Sequence, residues 1–467
     1  MLKFTARAGM TIRASTGHEG LGSPDRMSTV FFHKADQGDR LRLIDRKYLF
    51  NVATYAPEVN DKYIYTYSYQ PDQSWTKYNG DLSGNSYRQD DYIFKQQCYF
   101  RVSFRRVDGA DIDAGEAERV NEIITYTQSE RDIPTPEAPS YITNECEKLL
   151  RKIEKTRTGG SLLFALLADT HYTVNGTWDD TLASLKAVHE AAMFDGIIHL
   201  GDLTDGLVTA AATRQYAGNI INDLKSMCVP LFITIGNHDA NYFKNNAEPF
   251  TIEEQCGIYL ANSDGYTVRE PGKPWYYKDF PEHGMRFVFL HSFDHTRVIR
   301  YVYTPECLRW LTKTLSETPS EYSIIVFNHL APLVKLQYWT NRIHRSKELV
   351  GILEEYNSGT QPGKIIAFIN GHNHADQVYR GQSFPVVSVG CSKLEYFTQY
   401  KPKGAYTPER KPGDASQELW DALVIKPKEK RLDFLRFGAG EDRVILSYDH
   451  IIQLQQQPVN KRPHRRI

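Results

Sequence analysis

The sequence predicts an α/β domain that follows an all-β domain, and two observations support this. In the middle of the chain, short apolar runs alternate with stretches of helical spacing, which is typical of β-α-β units. Near the start, Tyr, Phe, Val and Thr alternate with polar residues between turn residues, which is typical of antiparallel strands. At 467 residues the chain is long enough for two or three domains.

These patterns divide the chain into four segments. Residues 1–130 are predicted to form a jelly-roll-like β-sandwich, residues 131–160 a Pro-rich linker and a helix, residues 161–449 the α/β domain, and residues 450–467 a basic tail. The clearest strand of the first segment is Cys98–Arg106, in which apolar and polar residues alternate. Two roles for residues 1–130 stay open: a binding module, for glycans through exposed Tyr residues and Trp75, or a packing or assembly domain.

Five apolar runs in the α/β region each end in a polar group of His, Asp or Asn residues. The runs are Leu162–Leu167, Ile197–Leu200, Leu231–Ile235, Ser323–Phe327 and Ile365–Ile369. The candidate site residues that follow them are Asp169, His171, Asp202, Asn237, His238, Asp239, His329, His372 and His374. Ligands of open α/β sheets bind at the carboxyl ends of strands, so we expect these side chains to meet. Imidazoles mixed with carboxylate and amide oxygens favour Mn, Fe, Zn, Ni or Co over Ca or Mg.

The segments between these runs predict helices that pack on the faces of a sheet. Thr181–Phe194 and Ala210–Met227 have helical spacing, and Thr304 is expected to cap a helix that begins at Pro305. An irregular, aromatic-rich insertion is predicted at Asn241–Phe280. It is either a lid or specificity wall beside the site, or a Tyr-rich β-excursion that does not contact substrate.

The order D-x-H, GD-x-x-D-G, GNHD, H and GH-x-H resembles the calcineurin-like metallophosphoesterases over residues 161–390. The resemblance implies a four-layer α/β/β/α domain and a dinuclear metal centre. It implies that Asp169, His171 and His374 hold one metal. Asn237, His329 and His372 would hold the other, and Asp202 would bridge the two. It also implies that His238 is the catalytic histidine and that Asp239 orients it.

The function implied by this resemblance is hydrolysis of a phosphoester by a metal-bridged hydroxide, with two divalent transition metal ions such as manganese as cofactors. We expect a phosphodiesterase rather than a phosphomonoesterase. The preceding β-domain favours an extended substrate, such as a glycan- or cell-wall-linked phosphodiester. The alternative is a glycan-binding or particle-associated structural protein in which phosphoesterase activity is secondary or lost.

Composition limits the classes of partner and the cellular compartment that we expect for this chain. The chain has 56 Lys and Arg against 57 Asp and Glu, so its charge does not indicate a nucleic-acid partner. Six scattered cysteines without a C-x-x-C pair favour free thiols over a disulfide framework. Residues 1–10 lack the pattern of a signal peptide, and no apolar run approaches the length of a membrane span. We expect a cytoplasmic protein, or one delivered without a signal peptide, as on a phage or another particle.

Overall fold

The computed structural model describes residues 2–13, 19–55, 91–129, 139–174, 176–395 and 401–446. Trp75, most of the Pro-rich linker and the basic tail therefore lie outside the described residues. Within these ranges, no helix has both the length and the apolar character that a bilayer crossing requires.

The N-terminal region consists mostly of antiparallel strands, as the sequence predicts. Its strands are β1 (Ala6–Ala8), β2 (Met10–Ile12), β3 (Glu19–Leu21), β4 (Arg26–Thr29), β5 (His33–Ala35), β6 (Arg40–Leu43), β7 (Tyr48–Tyr55), β8 (Asp91–Ile93), β9 (Cys98–Arg106) and β10 (Ile124–Thr127). Strands β1, β4, β9, β5 and β7 form one sheet, and β10, β6 and β8 form another. Two short helices, α1 (Ala114–Glu118) and α2 (Val120–Ile123), precede β10.

Strand β9 is covered on both faces. Its apolar residues Phe100, Val102 and Phe104 lie in the core of the N-terminal region. Arg101, on the opposite face, is also fully buried, and its guanidinium bonds Glu19 and the Thr29 carbonyl. The polar side of this strand is therefore an internal contact surface rather than a solvent-facing one.

That buried face meets the α/β domain. Phe32 packs against Tyr55 on its own side and against Tyr216 of the α/β domain, with ring centroids 5.0 and 5.3 Å apart. The Phe32 backbone N–H also donates to the Gln215 side chain at 3.1 Å. The ring contacts are apolar, so they contribute to one continuous core across the two regions.

Helix α3 (Ser140–Thr156) packs on the α/β domain. Its apolar face, which carries Ile142, Leu149 and Ile153, lies in the main core of that domain. The helix that was predicted next to the linker is thus part of a helical layer.

The first sheet of the α/β domain combines parallel and antiparallel strands. Its members are β11 (Leu162–Leu167), β12 (Gly196–His199), β13 (Leu231–Ile233), β21 (Leu419–Lys426), β22 (Arg431–Gly438) and β23 (Arg443–Leu446). The order is β13-β12-β11-β21-β22-β23, with β11, β12 and β13 parallel. The helices α4 (Trp178–Ala192) and α5 (Ala210–Lys225) connect the parallel strands, close to their predicted bounds.

The second sheet has seven strands, of which four are parallel. They are β14 (Val268–Arg269), β15 (Tyr276–Phe280), β16 (Met285–Phe289), β17 (Ser323–Asn328), β18 (Ile365–Asn370), β19 (Gln377–Tyr379) and β20 (Val386–Ser388). The order is β14-β15-β16-β17-β18-β20-β19, and β16, β17, β18 and β20 are parallel. The connecting helices are α7 (Pro305–Ser316) and α8 (Ser346–Ser358), and Thr304 caps α7 as predicted.

The two sheets pack face to face between helical layers. Phe164 and Phe232 of the first sheet contact Phe287 and Phe289 of the second. Helices α3, α4 and α5 share this central core, whereas α7 and α8 pack with the outer face of the second sheet. The order is helices, sheet, sheet, helices, which is the predicted four-layer arrangement.

The insertion at Asn241–Phe280 is more regular than predicted. It contains a short helix, α6 (Ile252–Gln255), a π-helical turn at Cys256–Leu260 and strands β14 and β15. Tyr259 and Tyr276 are fully buried in the main core. Their aromatic character therefore reflects packing, which the sequence pattern alone did not separate from a surface role.

Candidate metal centre

The candidate site lies where five parallel strands end, at one edge of both sheets. Strands β11, β12 and β13 deliver Asp169, Asp202 and Asn237, and strands β17 and β18 deliver His329 and His372. Contacts across the sheets hold the tips together: His329 Nδ1–H donates to the Leu200 carbonyl at 2.8 Å, and the His372 N–H lies 3.0 Å from Asp169 Oδ2. The fold thus brings residues from distant parts of the sequence to one place.

Unusual backbone conformations concentrate at these strand tips. Five candidate ligands have positive φ angles although they are not glycine: Asp169 (52°), His171 (42°), Asp202 (54°), His372 (70°) and His374 (51°). This conformation is unfavourable for residues with a Cβ and persists only where the surroundings enforce it. Its clustering here indicates that the surrounding structure holds these side chains in place at a cost in local backbone energy.

The glycines of the motifs provide space for close approach of the chains. At Gly236, an added Cβ would lie 2.1 Å from Asp202 Oδ1, and at Gly201 it would lie 2.7 Å from the Gly236 nitrogen. Gly201 also has a φ angle of +91°. Any larger residue would push the two strand tips apart, which explains the glycine in both motifs.

One group of donor atoms converges around His329. Its Nε2 lies 3.1 Å from Asn237 Oδ1, 3.1 Å from His372 Nδ1 and 3.2 Å from Asp202 Oδ2. Since His329 Nδ1–H donates to a carbonyl, Nε2 is the ring atom that can offer a lone pair to a cation placed among these atoms.

A second group forms around His171 and His374. Their Nε2 atoms lie 3.1 Å apart, and Asp169 Oδ1 is 3.5 Å from His374 Nε2. The Asp202 carboxylate reaches this group as well, because its Oδ2 lies 3.8 Å from His171 Nε2. Asp202 is therefore the residue between the two groups.

These two groups fit a pair of cations. Lone pairs of nitrogen and oxygen atoms face one another at 3.1–3.5 Å in a buried place, which is unfavourable unless positive charge lies between them. The donor set of four imidazoles, two carboxylates and one amide suits borderline divalent transition metals.

The pKa shifts of the histidines also indicate a site for positive charge. Burial lowers the pKa of His171 and His372 well below the ordinary value, so both rings are neutral and can bind a cation. Burial also opposes the charge on His329, but the facing Asp202 outweighs it and raises the pKa of His329 to about 9. The pocket thus favours added positive charge, which a metal ion supplies as well as a proton does.

His238 lies at the edge of the centre. Its Nε2 is 4.0 Å from Asp202 Oδ2, and its ring is 4.6 Å from the His171 ring. Its Nδ1–H donates to the Asp205 carbonyl at 2.7 Å, which directs Nε2 toward the centre. It is the predicted catalytic histidine.

The structure corrects the role expected of Asp239. The Asp239 carboxylate accepts backbone N–H bonds from Gly236, Asp202, Leu203 and Thr204 at 2.8–3.2 Å. It therefore holds the loop that carries Asp202, whereas the Asp205 carbonyl orients the His238 ring. The family resemblance implied a pair between the two side chains, but adjacent residues point in different directions in this turn.

Sequence reasoning missed two carboxylates that contact the candidate ligands. Asp205 Oδ1 lies 3.1 Å from His171 Nδ1, and both Glu395 oxygens lie 2.9 Å from His374 Nδ1. Asp205 belongs to the quoted GD-x-x-D-G motif, so its spacing was a usable signal. Glu395 has no such spacing, because the fold alone brings its loop to His374.

Three other histidines near the strand tips have different surroundings. His199 is buried and bonds Thr170 Oγ1 at 2.8 Å, and burial lowers its pKa to about 3. His291 is buried beside the Phe293 carbonyl, and the His295 ring lies 5.0 Å from Tyr242. Within the described ranges, none of the three joins a cluster of metal-binding side chains.

Comparison with known proteins gives the class of this domain. Residues 162–376 match the family model described as calcineurin-like phosphoesterase. A search of curated proteins found no match. Residues 162–376 therefore form a calcineurin-like phosphoesterase domain, and the chain has the fold and the candidate metal-binding groups of a metal-dependent phosphoric ester hydrolase.

The solved structures that match this chain are distant in sequence. A dimetal phosphatase from Danio rerio is 14% identical, with a TM-score of 0.45, and the match covers 61% of this chain and 99% of that one. GAP50, the anchor in the inner membrane complex of Plasmodium, is 14% identical, with a TM-score of 0.41 and coverage of 63% and 93%.

Proposed function

We propose that the chain hydrolyses phosphodiesters in preference to phosphomonoesters at a dinuclear metal centre. Asp169, His171 and His374 would hold one cation. Asn237, His329 and His372 would hold the other, with Asp202 shared between them. Divalent cations held by these residues would lower the pKa of a nucleophilic water and would offset charge on the phosphate.

The preference for diesters is supported by aromatic rings on two sides of the centre. The Phe243 ring lies 4.2 Å from the His238 ring, and the Tyr301 ring lies 5.3 Å from the His372 ring. Both aromatic residues are half-buried. A diester carries an organic group on each side of phosphorus, so it can use two apolar surfaces, whereas a monoester can use one.

His238 supplies acid–base chemistry in this proposal. Because its Nδ1–H is held by the Asp205 carbonyl, the protonated ring presents an Nε2–H toward the centre. That proton can pass to the oxygen of the departing alcohol.

The test uses metal-stripped protein and two chromogenic esters, bis-p-nitrophenyl phosphate and p-nitrophenyl phosphate. Mn²⁺, Ni²⁺, Co²⁺, Zn²⁺ and Mg²⁺ are added separately, and kcat/KM is measured for each ester. We expect a transition metal to restore cleavage, with a higher kcat/KM for the diester. A higher value for the monoester would contradict the diester preference, and no turnover with any metal would contradict the function itself.

We further propose that the N-terminal region extends the substrate surface for a glycan- or cell-wall-linked phosphodiester. Its proximity to the centre supports this: Tyr99 packs against the core that contains Tyr172, the residue after His171. A higher kcat/KM on a glycan-linked phosphodiester polymer than on bis-p-nitrophenyl phosphate is expected. Equal values would contradict the extended surface and leave the diester preference intact.

A further inference from the structure

Glu395 is a fully enclosed carboxylate with one main partner. Its exposed fraction is 2%. Both carboxylate oxygens lie 2.9 Å from His374 Nδ1, so the imidazole N–H donates to a symmetric acceptor. The Lys401 side chain is 4% exposed, and its Nζ lies 3.6 Å from Oε1 and offsets part of the charge.

This contact determines which nitrogen of His374 faces the candidate metal centre. With Nδ1–H donating to Glu395, the lone pair of His374 is on Nε2. That atom lies 3.1 Å from His171 Nε2 and 3.5 Å from Asp169 Oδ1. The carboxylate therefore selects the tautomer of the ring that can bind a cation and fixes its orientation.

The loop that carries Glu395 is attached to the strand tip that carries Asp169. The N–H of Ser392 donates to the Ala168 carbonyl at 2.7 Å, and the N–H of Lys393 donates to the Asp169 carbonyl at 3.3 Å. Any movement of this loop would also disturb the strand tip of Asp169.

A buried arginine holds the same loop from its other side. Arg410 is 3% exposed, and its guanidinium donates to the carbonyls of Cys391, Lys393 and Ser392 at 2.8, 2.5 and 3.2 Å. Further bonds attach it to the Gln417 and Ser416 carbonyls. A buried guanidinium with this many acceptors is well satisfied and rigid, so the loop has little freedom to shift.

We infer that Glu395 is a positioning residue that orients His374 and strengthens metal binding at the site that His374 completes. The inference rests on the proposed dinuclear centre. A carboxylate on the far nitrogen of a ligating imidazole increases its basicity, and removal of such a partner typically lowers metal affinity about 10–100-fold. The site around His329 has a carbonyl in the equivalent place and does not use Glu395.

The test is a Mn²⁺ titration of the metal-free full chain, with free Mn²⁺ followed by electron paramagnetic resonance. Glu395→Gln keeps the shape of the side chain and removes its charge. Glu418→Gln is the matched control, because Glu418 is equally buried and bonds Thr181 Oγ1 at 2.5 Å and the Gln417 side chain at 3.0 Å. Thermal unfolding of the metal-free variants reports on the fold.

We expect two Mn²⁺ sites in the native chain and in Glu418→Gln. In Glu395→Gln, one site is weakened about 10–100-fold and the other stays close to its native affinity, while unfolding of the metal-free protein is unchanged. Native affinity at both sites in Glu395→Gln would overturn the inference. Equal weakening of both sites together with a lower unfolding temperature would also overturn it, since it would indicate a structural role. Absence of two sites in the native chain would instead count against the proposed function.

Discussion

Two buried clusters of charged side chains lie close together in this protein and balance their charge in different ways. The arginine–aspartate cluster consists of Asp376, Asp421, Arg436 and Arg443. Arg436 is 1% exposed, and its guanidinium nitrogens lie 2.9 Å from Asp376 Oδ1 and from Asp421 Oδ1. Two positive and two negative groups make this cluster neutral without any added ion.

The candidate metal centre has the opposite character. Its two carboxylates, Asp169 and Asp202, face imidazole nitrogens, and the Nε2 atoms of His171 and His374 lie 3.1 Å apart. The clusters are adjacent in sequence, since Asp376 follows His374 by two residues. Burial of charge therefore does not by itself indicate a functional site. What distinguishes the metal centre is that acceptors face acceptors, which leaves a place for a cation.

The largest expected effect comes from the bridging carboxylate. Asp202→Asn removes the one negative charge shared by both cation sites, so we expect phosphoesterase activity to fall to background and metal content, measured by elemental analysis, to drop. The fold should persist, because the substitution removes one negative charge from a place where acceptors already face one another.

The matched variant is the same substitution in the other cluster. Asp421→Asn should lower the unfolding temperature while the metal content of the folded protein stays native. Full activity of Asp202→Asn would contradict the bridging role, and loss of metal in folded Asp421→Asn would contradict the separation of the two clusters.

His238→Ala should affect turnover rather than metal binding. Because His238 lies at the edge of the centre and is proposed to transfer a proton, we expect kcat to fall about 10²–10⁴-fold with metal content unchanged. The measurement is steady-state kinetics on bis-p-nitrophenyl phosphate beside elemental analysis. His283→Ala, at the far end of β16, serves as the control and should keep native kcat; a native kcat for His238→Ala would remove this residue from the mechanism.

We expect substitutions in the arginine–aspartate cluster to change only the free energy of unfolding. Arg436→Met leaves two buried carboxylates opposite a single arginine, and breaking a buried ion pair in this way typically costs about 3–5 kcal/mol of the free energy of unfolding. Urea denaturation measures the loss. Lys152→Met is a suitable control, because Lys152 pairs with Asp442 near the surface and should cost under about 1 kcal/mol. Similar losses for the two variants would show that burial of the cluster contributes little to the free energy of unfolding.

Much of the fold was predictable from local pattern. The apolar run Ser323–Phe327 predicted strand β17, and helical spacing predicted α4 and α5, because the periods of strands and helices depend on residues close together in the sequence. Cap chemistry at Thr304 predicted the start of α7 for the same reason. The insertion at Asn241–Phe280 was predicted less well, since its tyrosines pack against distant core residues that no local window contains.

The candidate metal ligands could also be named from the sequence, since each follows an apolar strand within a short motif. The strand ends also predicted that these side chains meet, whereas the positive φ angles and the short distances between facing acceptor atoms emerged only from the folded chain. The sequence could not assign Asp239 to the backbone of the Asp202 loop, because a motif records spacing and not side-chain direction. Nor could it identify Glu395, which is 21 residues from His374 and reaches it through a loop held by Arg410.

The sequence by itself thus determined which elements form and which residue types gather at the strand ends, because both depend on neighbours along the chain. Tertiary structure alone decided which buried charges neutralise one another and which face an open place for cations. Those outcomes depend on distances between residues that are far apart in sequence, such as Arg436 to Asp376 and His329 to Asp202.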